Sequence, residues 1–331
     1  MNAPLLEVRD LRVEFAAGRH AMRRKRFVAL QDVSFDLPAA TTVGLVGESG
    51  CGKSTLARAI LRLIPAAGGR VLWRGEDLLT LSRAALRRRR RDLQIVFQDP
   101  LASLDPQMTV GDILGEPLEI FEAALGARER RARTGEMLAR VGLEPWMAAR
   151  YPHEFSGGQC QRIGIARAMM PRPQLLICDE AVSSLDVSIQ GQIVNLLSDL
   201  QRETGMAMLF ISHNLSVVRH VSRQVLVMYL GCLVESAPRD ELFAAPLHPF
   251  TRALIGAVPR IRPGAQAEAA ERLAGEPPPL RSAPSGCVFR SRCAHAAAIC
   301  AAAPPLQRAA EGHMVACHRL HELPPWTALP K

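Results

Sequence analysis

The run Gly47-Glu48-Ser49-Gly50-Cys51-Gly52-Lys53-Ser54 follows an apolar stretch, Thr42 to Val46, and precedes a segment of helix-forming residues starting near Lys53. Glycines at these positions let the backbone curl until successive N–H groups point inward at anionic oxygen. A helix starting at the end of the curl adds the positive end of its dipole. Lys53 is then placed to reach the β- and γ-phosphates of a nucleotide, and the Ser54 hydroxyl, with Thr55 behind it, to meet magnesium. The spacing is G-x-x-x-x-G-K-[ST], in the strand-then-helix context that this chemistry requires.

A second constellation lies further on. Leu175-Leu176-Ile177-Cys178-Asp179-Glu180 is an apolar run ending in two carboxylates. Neighbouring strand residues point to opposite faces, so the pair can divide two tasks. Asp179 suits the magnesium shell, and Glu180 suits a base that orients or polarises the attacking water. An Asp-Glu ending alone is more often a helix N-terminus; the phosphate loop gives it weight.

These groups need elements to position them. Alternation in residues 6–9 and 11–15 predicts a half-exposed strand pair, and it resumes at Val33 to Leu37 after a basic insertion. Continuous apolar runs at Thr42–Val46, Gln94–Phe97, Leu175–Cys178 and Ala207–Ile211 predict strands buried on both faces of a parallel sheet, with helices between them. Residues 111–141 carry Ala, Leu, Glu and Arg in a helical rhythm, which predicts a helical subdomain over about 100–173. Pro263, Pro277, Pro278, Pro279 and Pro284 mark a linker after Pro259, and a cysteine-bearing module follows. The expected division is therefore 1–259 and 260–331.

Composition excludes little. The chain has 331 residues, 48% hydrophobic and 22% charged, which allows one large α/β domain and a smaller appendage. No apolar stretch approaches the roughly 20 residues of a membrane-spanning helix; Val225 to Val234 reads as a buried strand. Glu7, Arg9 and Asp10 stand where a signal peptide needs an apolar core, so a cytosolic chain is expected. The net charge of +9 comes largely from runs at residues 23–26 and 87–91. A solvated face, a contact with anionic lipid or an acidic partner, and nucleic acid are the three readings, and no aromatic residues are interleaved for base stacking.

Of eight cysteines, Cys51, Cys160, Cys178 and Cys232 are scattered, while Cys287, Cys293, Cys300 and Cys317 cluster as C-x5-C-x6-C-x16-C. That spacing is wider than a zinc ribbon's, although His295, His313 and His318 keep zinc open beside free thiols.

Phe155-Ser156-Gly157-Gly158-Gln159, lying shortly before the acidic strand, resembles the signature motif of ABC (ATP-binding cassette) ATPases. The resemblance implies an α/β P-loop NTPase cassette: a RecA-like parallel core, an N-terminal antiparallel β-subdomain, an inserted helical subdomain and a small Cys-containing C-terminal extension. It implies a dimer in which residues 156–159 close over ATP held by the partner's phosphate loop. Gln98 resembles the glutamine that contacts magnesium or the water and senses the membrane subunit. Ser184-Leu185-Asp186 resembles the D-loop, and His213 the histidine that contacts the γ-phosphate. Phe15 resembles the aromatic residue that stacks on adenine, with Phe27 its rival.

Gln98-Asp99-Pro100-Leu101-Ala102-Ser103-Leu104, Asp186-Val187-Ser188-Ile189-Gln190 and His248-Pro249-Phe250-Thr251-Arg252-Ala253-Leu254 narrow the likeness to oligopeptide/dipeptide (and nickel) importer ATPases. So does the ending from Pro284 through Cys317-His318. The branch implies two permease subunits, a second homologous ATPase, an extracytoplasmic solute-binding protein and a peripheral place on the cytoplasmic face of the cell membrane. It also implies a 4Fe–4S cluster on Cys287, Cys293, Cys300 and Cys317, for which four thiolates are the ligand set. Ala181, Ser184, Asn214 and Cys160 depart from the family's usual residues, and none removes a phosphate, magnesium or base group. The competing class is a soluble cassette machine acting on ribosomes or DNA; a single motif set and no sustained heptad run speak against it.

Overall fold

Buried Leu6 and Val8 fall on even positions, but buried Leu11 and Val13 fall on odd ones. One residue must therefore be absorbed between them, and Asp10 does so at φ 48°. The result is one bent strand, β1 (Leu6–Ala17), where the alternation predicts two. Its register with β4 (Gly68–Trp73) shifts between Arg9 and Arg12. With β2 (Lys25–Leu37) and β5 (Glu76–Asp77) these strands form a sheet in the order β2-β1-β4-β5. β3 (Thr42–Val46) is buried along its whole length and leads to helix α1 (Lys53–Ile60), which buries Leu56, Ala57, Ala59 and Ile60.

This computed structural model describes residues 4–17, 25–183, 185–257 and 275–326. The expected boundary at 259/260 and Ser184 fall outside them, as does the first half of the basic run at 23–26. The chain resolves into two compact units, one built chiefly from Thr80–Ser212 and the other from Leu6–Asp36, Val43–Leu79 and the chain from His213 onward.

The first unit starts with α2 (Arg83–Arg89), capped by Ser82 and anchored by Leu86. Arg87 to Arg91 lie exposed at its end, and Arg91 pairs with Glu122 at 3.0 Å, so this basic run is a solvated helix end. β6 (Leu93–Val96) follows, then three helices: α3 (Val110–Phe121), α4 (Ala127–Arg140) and α5 (Gly157–Met169). Thr109 caps α3, which buries Val110, Ile113, Leu114, Pro117 and Leu118 along one face. β7 (Leu175–Asp179), α6 (Val187–Thr204) and β8 (Ala207–Ile211) complete the unit. The three strands are parallel and in register, with Val96 opposite Cys178 and Asp179 opposite Ile211.

The second unit resumes with α7 (Leu215–Val221), β9 (Gln224–Tyr229) and β10 (Cys232–Pro238). The stretch expected as one buried strand is thus a hairpin. Leu230 at φ 42° and Gly231 at φ 79° form its two-residue turn, because two left-handed residues in succession match the twist of the flanking strands. A Cβ at Gly231 would lie 2.4 Å from the Ala29 carbonyl oxygen, which requires glycine there. α8 (Arg239–Ala244), α9 (Pro249–Gly256), β11 (Gln307–Ala310) and β12 (His313–Val315) follow. In this unit the strand order is β11-β12-β10-β9-β3; β3 and β9 are parallel and the remaining pairs antiparallel. The cysteine-bearing tail therefore adds strands to the sheet that carries the phosphate loop. The α/β class with parallel strands and an N-terminal antiparallel sheet is as the sequence implies. Among the described residues, no helix is long and apolar enough to cross a membrane.

Candidate active site

In the second unit, residues 47–52 run from the end of β3 to the start of α1. Gly50 and Gly52 adopt φ 76° and 108°, and a Cβ on Gly47 would lie 2.2 Å from the Met228 carbonyl oxygen. At Gly47 the loop backbone thus lies directly against β9, with no room for a side chain. Gly52 caps α1 without a side chain, so no residue at that position fills the end of the helix where an anion would sit. Lys53 is 3% exposed, and its ammonium donates to the carbonyls of Gly47 at 3.0 Å and Glu48 at 3.1 Å. Its charge is stationed inside the curl on carbonyls that phosphate oxygens can replace. Ser54 and Thr55 are half-buried at the first turn. Cys51 is buried, and burial pushes its thiol up to about 11, so it packs as a neutral group.

Phe15 and Phe27 lie on β1 and β2 with ring centroids 5.8 Å apart, Phe15 exposed and Phe27 half-exposed. The two rivals for adenine belong to one aromatic patch. His213 is exposed, and the next residue, Asn214, caps α7 by accepting from Ser216 and Val217 N–H groups at 3.0 and 3.4 Å. An aspartate at 214 would serve the same cap, so this departure from the family pattern keeps its local function.

In the first unit, Asp179 ends β7 with 2% exposure, and Glu180 follows at φ 49°. A left-handed conformation is costly for a non-glycine residue and persists where its surroundings enforce it. Here the Glu180 N–H donates to the Ile211 carbonyl at 3.1 Å, and the Glu180 carbonyl accepts from Ser183 N–H at 3.1 Å and Oγ at 3.0 Å. The side chain meets Gln98, whose amide donates to Glu180 Oε2 at 3.2 Å. The strand pair β6–β7 thus brings two predicted residues together across 82 positions of sequence.

The signature segment builds the N-terminus of α5. Ser156 Oγ accepts from Gln159 N–H at 3.4 Å, and Gln159 Oε1 accepts from Ser156 N–H at 2.9 Å, a reciprocal capping box. Gly157 is exposed, while Gly158 is buried because a Cβ there would lie 2.8 Å from Ile189 Cγ2 on α6. Small size at Gly158 therefore serves packing inside the chain. Asp186 caps α6 through its backbone only, leaving an exposed carboxylate. Cys160 is fully buried.

The tail thiols share one neighbourhood, since Cys287, Cys293, Cys300 and Cys317 lie within electrostatic reach of one another. Burial pushes Cys287 and Cys317 up and Cys293 to about 11. Among the described residues, no group of three or more His, Cys, Asp or Glu side chains is arranged to hold a metal ion. The iron–sulfur expectation, and the zinc alternative, gain no support from this arrangement. His313 is used elsewhere: its Nε2 bonds Glu235 Oε1 at 2.8 Å, deep in the unit.

One residue of the loop's surroundings escaped the sequence reading. Arg292 Nη1 donates to Glu48 Oε2 at 2.7 Å, and Nη2 to Glu48 Oε1 at 3.0 Å. A separation of 244 residues carries no local signal of such a contact.

Residues 30–183 match the family model described as ABC transporter, and residues 234–300 match that described as oligopeptide/dipeptide transporter, C-terminal region. The chain is 49% identical over 324 residues to the oligopeptide transport ATP-binding protein OppF of Salmonella typhimurium, covering 96% of this chain and 97% of that protein. It is 54% identical over 291 residues to the probable peptide ABC transporter ATP-binding protein y4tS of Sinorhizobium fredii, covering 88% and 82%. With the oligopeptide transport ATP-binding protein AppF of Bacillus subtilis it shares 48% over 320 residues, covering 95% and 97%. Among solved structures it resembles the dimeric post-hydrolysis state of the cassette MJ0796 bound to ADP and Pi, with TM-score 0.64 and 27% identity over 71% of this chain and 98% of that one.

Proposed function

Since the chain belongs to the ATP-binding, ATP-hydrolysing subunits of ABC transporters, we propose that it energises an importer for peptides or related small solutes. The observation that carries the ATP chemistry is Lys53, buried in a glycine curl with its ammonium on the Gly47 and Glu48 carbonyls. The cargo class is supported by the names of the relatives and by the match of residues 234–300.

In this reading Gly47, Glu48, Ser49, Gly50, Cys51 and Gly52 present backbone N–H groups to the phosphates, and Lys53 moves from its carbonyls onto the β- and γ-oxygens. Phe15 or Phe27 stacks on the base. Ser54, Gln98 and Asp179 supply hard oxygen ligands that suit magnesium, which when bound neutralises phosphate charge. Glu180 takes a proton from, or orients, the attacking water, with Gln98 holding the carboxylate in line. Ser156, Gly157, Gly158 and Gln159 at the start of α5, with Asp186, face the nucleotide of a partner cassette, and His213 contacts its own γ-phosphate. The dimeric MJ0796 structure supports that pairing.

The partners in this reading are two permease subunits, a second homologous ATPase and an extracytoplasmic solute-binding protein. The chain sits peripherally on the cytoplasmic face of the membrane, attached through the permeases. For the tail, a 4Fe–4S cluster rests on the family resemblance alone; iron content and visible absorption of anaerobically purified protein decide it. The test of the whole reading is to recover tagged Glu180→Gln protein with ATP from native membranes. Two permeases and a second ATPase among the co-purifying proteins are expected; ribosomal or DNA-bound partners without a membrane subunit would overturn the importer.

A further inference from the structure

We propose that Arg292 is a positioning residue for the phosphate loop: it holds the Glu48 carboxylate away from the cradle, so that an anionic nucleotide can enter. The inference rests on residues 47–54 being the phosphate site. Glu48 is the one acidic residue in that run, and it acts in two directions. Its carbonyl accepts from the Lys53 ammonium at 3.1 Å, while both carboxylate oxygens bind the Arg292 guanidinium. A carboxylate left uncompensated in a cradle built for phosphate places like charges a few ångströms apart, where solvent screens them incompletely. A planar guanidinium satisfies both oxygens at once, removes that charge and fixes its direction.

Arg292 is well placed to resist displacement. Its side chain is 6% exposed, and it also donates to Tyr229 Oη at 3.3 Å and to the Gly275 carbonyl at 3.0 Å. Its backbone N–H donates to the Phe289 carbonyl at 3.0 Å. Phe289 is buried, meets Tyr229 edge-on at 5.3 Å and packs on Phe250 at 5.5 Å and His248 at 5.7 Å. Tyr229 ends β9, the strand whose Met228 carbonyl bounds Gly47. The loop is thus confined by β9 along its entry and gripped through Glu48 by the tail. The Arg292–Glu48 ion pair links the tail to the nucleotide site, which gives the cysteine-bearing module an influence on ATP affinity.

The test is the affinity of the purified full-length chain for a fluorescent ATP analogue, with thermal melts run in parallel. Arg292→Ala is expected to bind about tenfold more weakly, the scale of one uncompensated charge beside the phosphates. Arg292→Lys keeps the charge without the fork and is expected to fall between it and wild type. Arg292→Ala combined with Glu48→Gln is expected to return to within about threefold of wild type, the coupling that marks two residues acting as a pair. Should Arg292→Ala not fold, Arg292→Lys with and without Glu48→Gln carries the same comparison. Wild-type affinity in Arg292→Ala overturns the inference, and so does a double variant as weak as the single one. Failure of the wild-type chain to bind the analogue would instead bring down the phosphate-site reading beneath it.

Discussion

Gln98 donates its side-chain amide to Glu180 Oε2 at 3.2 Å, joining the second residue after β6 to the first residue after β7. The pair is preset by strand register, since Val96 lies opposite Cys178. Glu180 is also fixed by its left-handed backbone, so the carboxylate is oriented from both ends.

This arrangement separates two roles by kinetics. Glu180→Gln should keep ATP affinity and lose turnover by about 10²–10⁴-fold, the range for removing a general base. Gln98→Ala should lower kcat by a smaller factor with little change in KM for ATP, because it frees the base without touching the cradle. Steady-state ATPase assays beside nucleotide binding check both; normal turnover in Glu180→Gln sinks the base assignment.

Glycine at 231 is demanded by both conformation and space. Gly231→Ala places a Cβ 2.4 Å from a backbone carbonyl at φ 79°, so the β9–β10 turn must shift. Gly75→Ala has a similar φ of 82° but open space around the Cβ. Chemical denaturation should therefore show Gly231→Ala losing clearly more stability than the about 1 kcal/mol expected from a left-handed alanine alone. Equal losses would show that the close approach to Ala29 has no cost.

Glu235 is fully buried and accepts from the N–H groups of Leu247 at 2.7 Å and His248 at 2.9 Å, as well as bonding His313. Glu235→Ala removes one acceptor group and leaves three donors unsatisfied, so we expect a loss of about 3 kcal/mol or more. Proteolysis should then start in the tail, where β12 depends on β10. A melting curve and cleavage pattern like wild type would rule this out.

His248 gives the fold a pH dependence. Burial lowers its pKa to about 4, with Glu235 opposing and Arg252 adding to the shift. Its Nδ1 accepts from the Phe250 N–H at 3.1 Å, so the neutral ring is the form that fits. The unfolded ring titrates near about 6.5 and binds a proton first as pH falls. Stability is therefore full above that value and declines between about 6.5 and 4, by about 1.4 kcal/mol per pH unit within the window. Denaturation at several pH values should show this slope in wild type and its loss in His248→Asn, which keeps an acceptor at the cap.

The sequence by itself determined the chemistry and most of the elements around it. Glycines before a lysine, an apolar strand ending in Asp179 and Glu180, and the Ser156–Gln159 segment are local patterns, each read within one turn or strand. The parallel strands at 42–46, 175–179 and 207–211 were legible because strands buried on both faces must be continuously apolar. Where the signal was phase or turn chemistry, reading by composition failed: the bulge at Asp10 joined two expected strands, and the Leu230-Gly231 turn divided another. Tertiary structure alone decided which distant groups meet. Gln98 with Glu180, Glu48 with Arg292 and Glu235 with His313 are pairs made by strand register and by the folding-back of the tail. No pattern along the chain encodes them, because an ion pair or hydrogen bond depends on distance in space and leaves no periodicity in sequence. The thiol cluster makes the same point in reverse: the family resemblance implied a metal, and the packing leaves Cys287 and Cys300 buried and Cys293 and Cys317 half-buried, in no arrangement that holds one among the described residues.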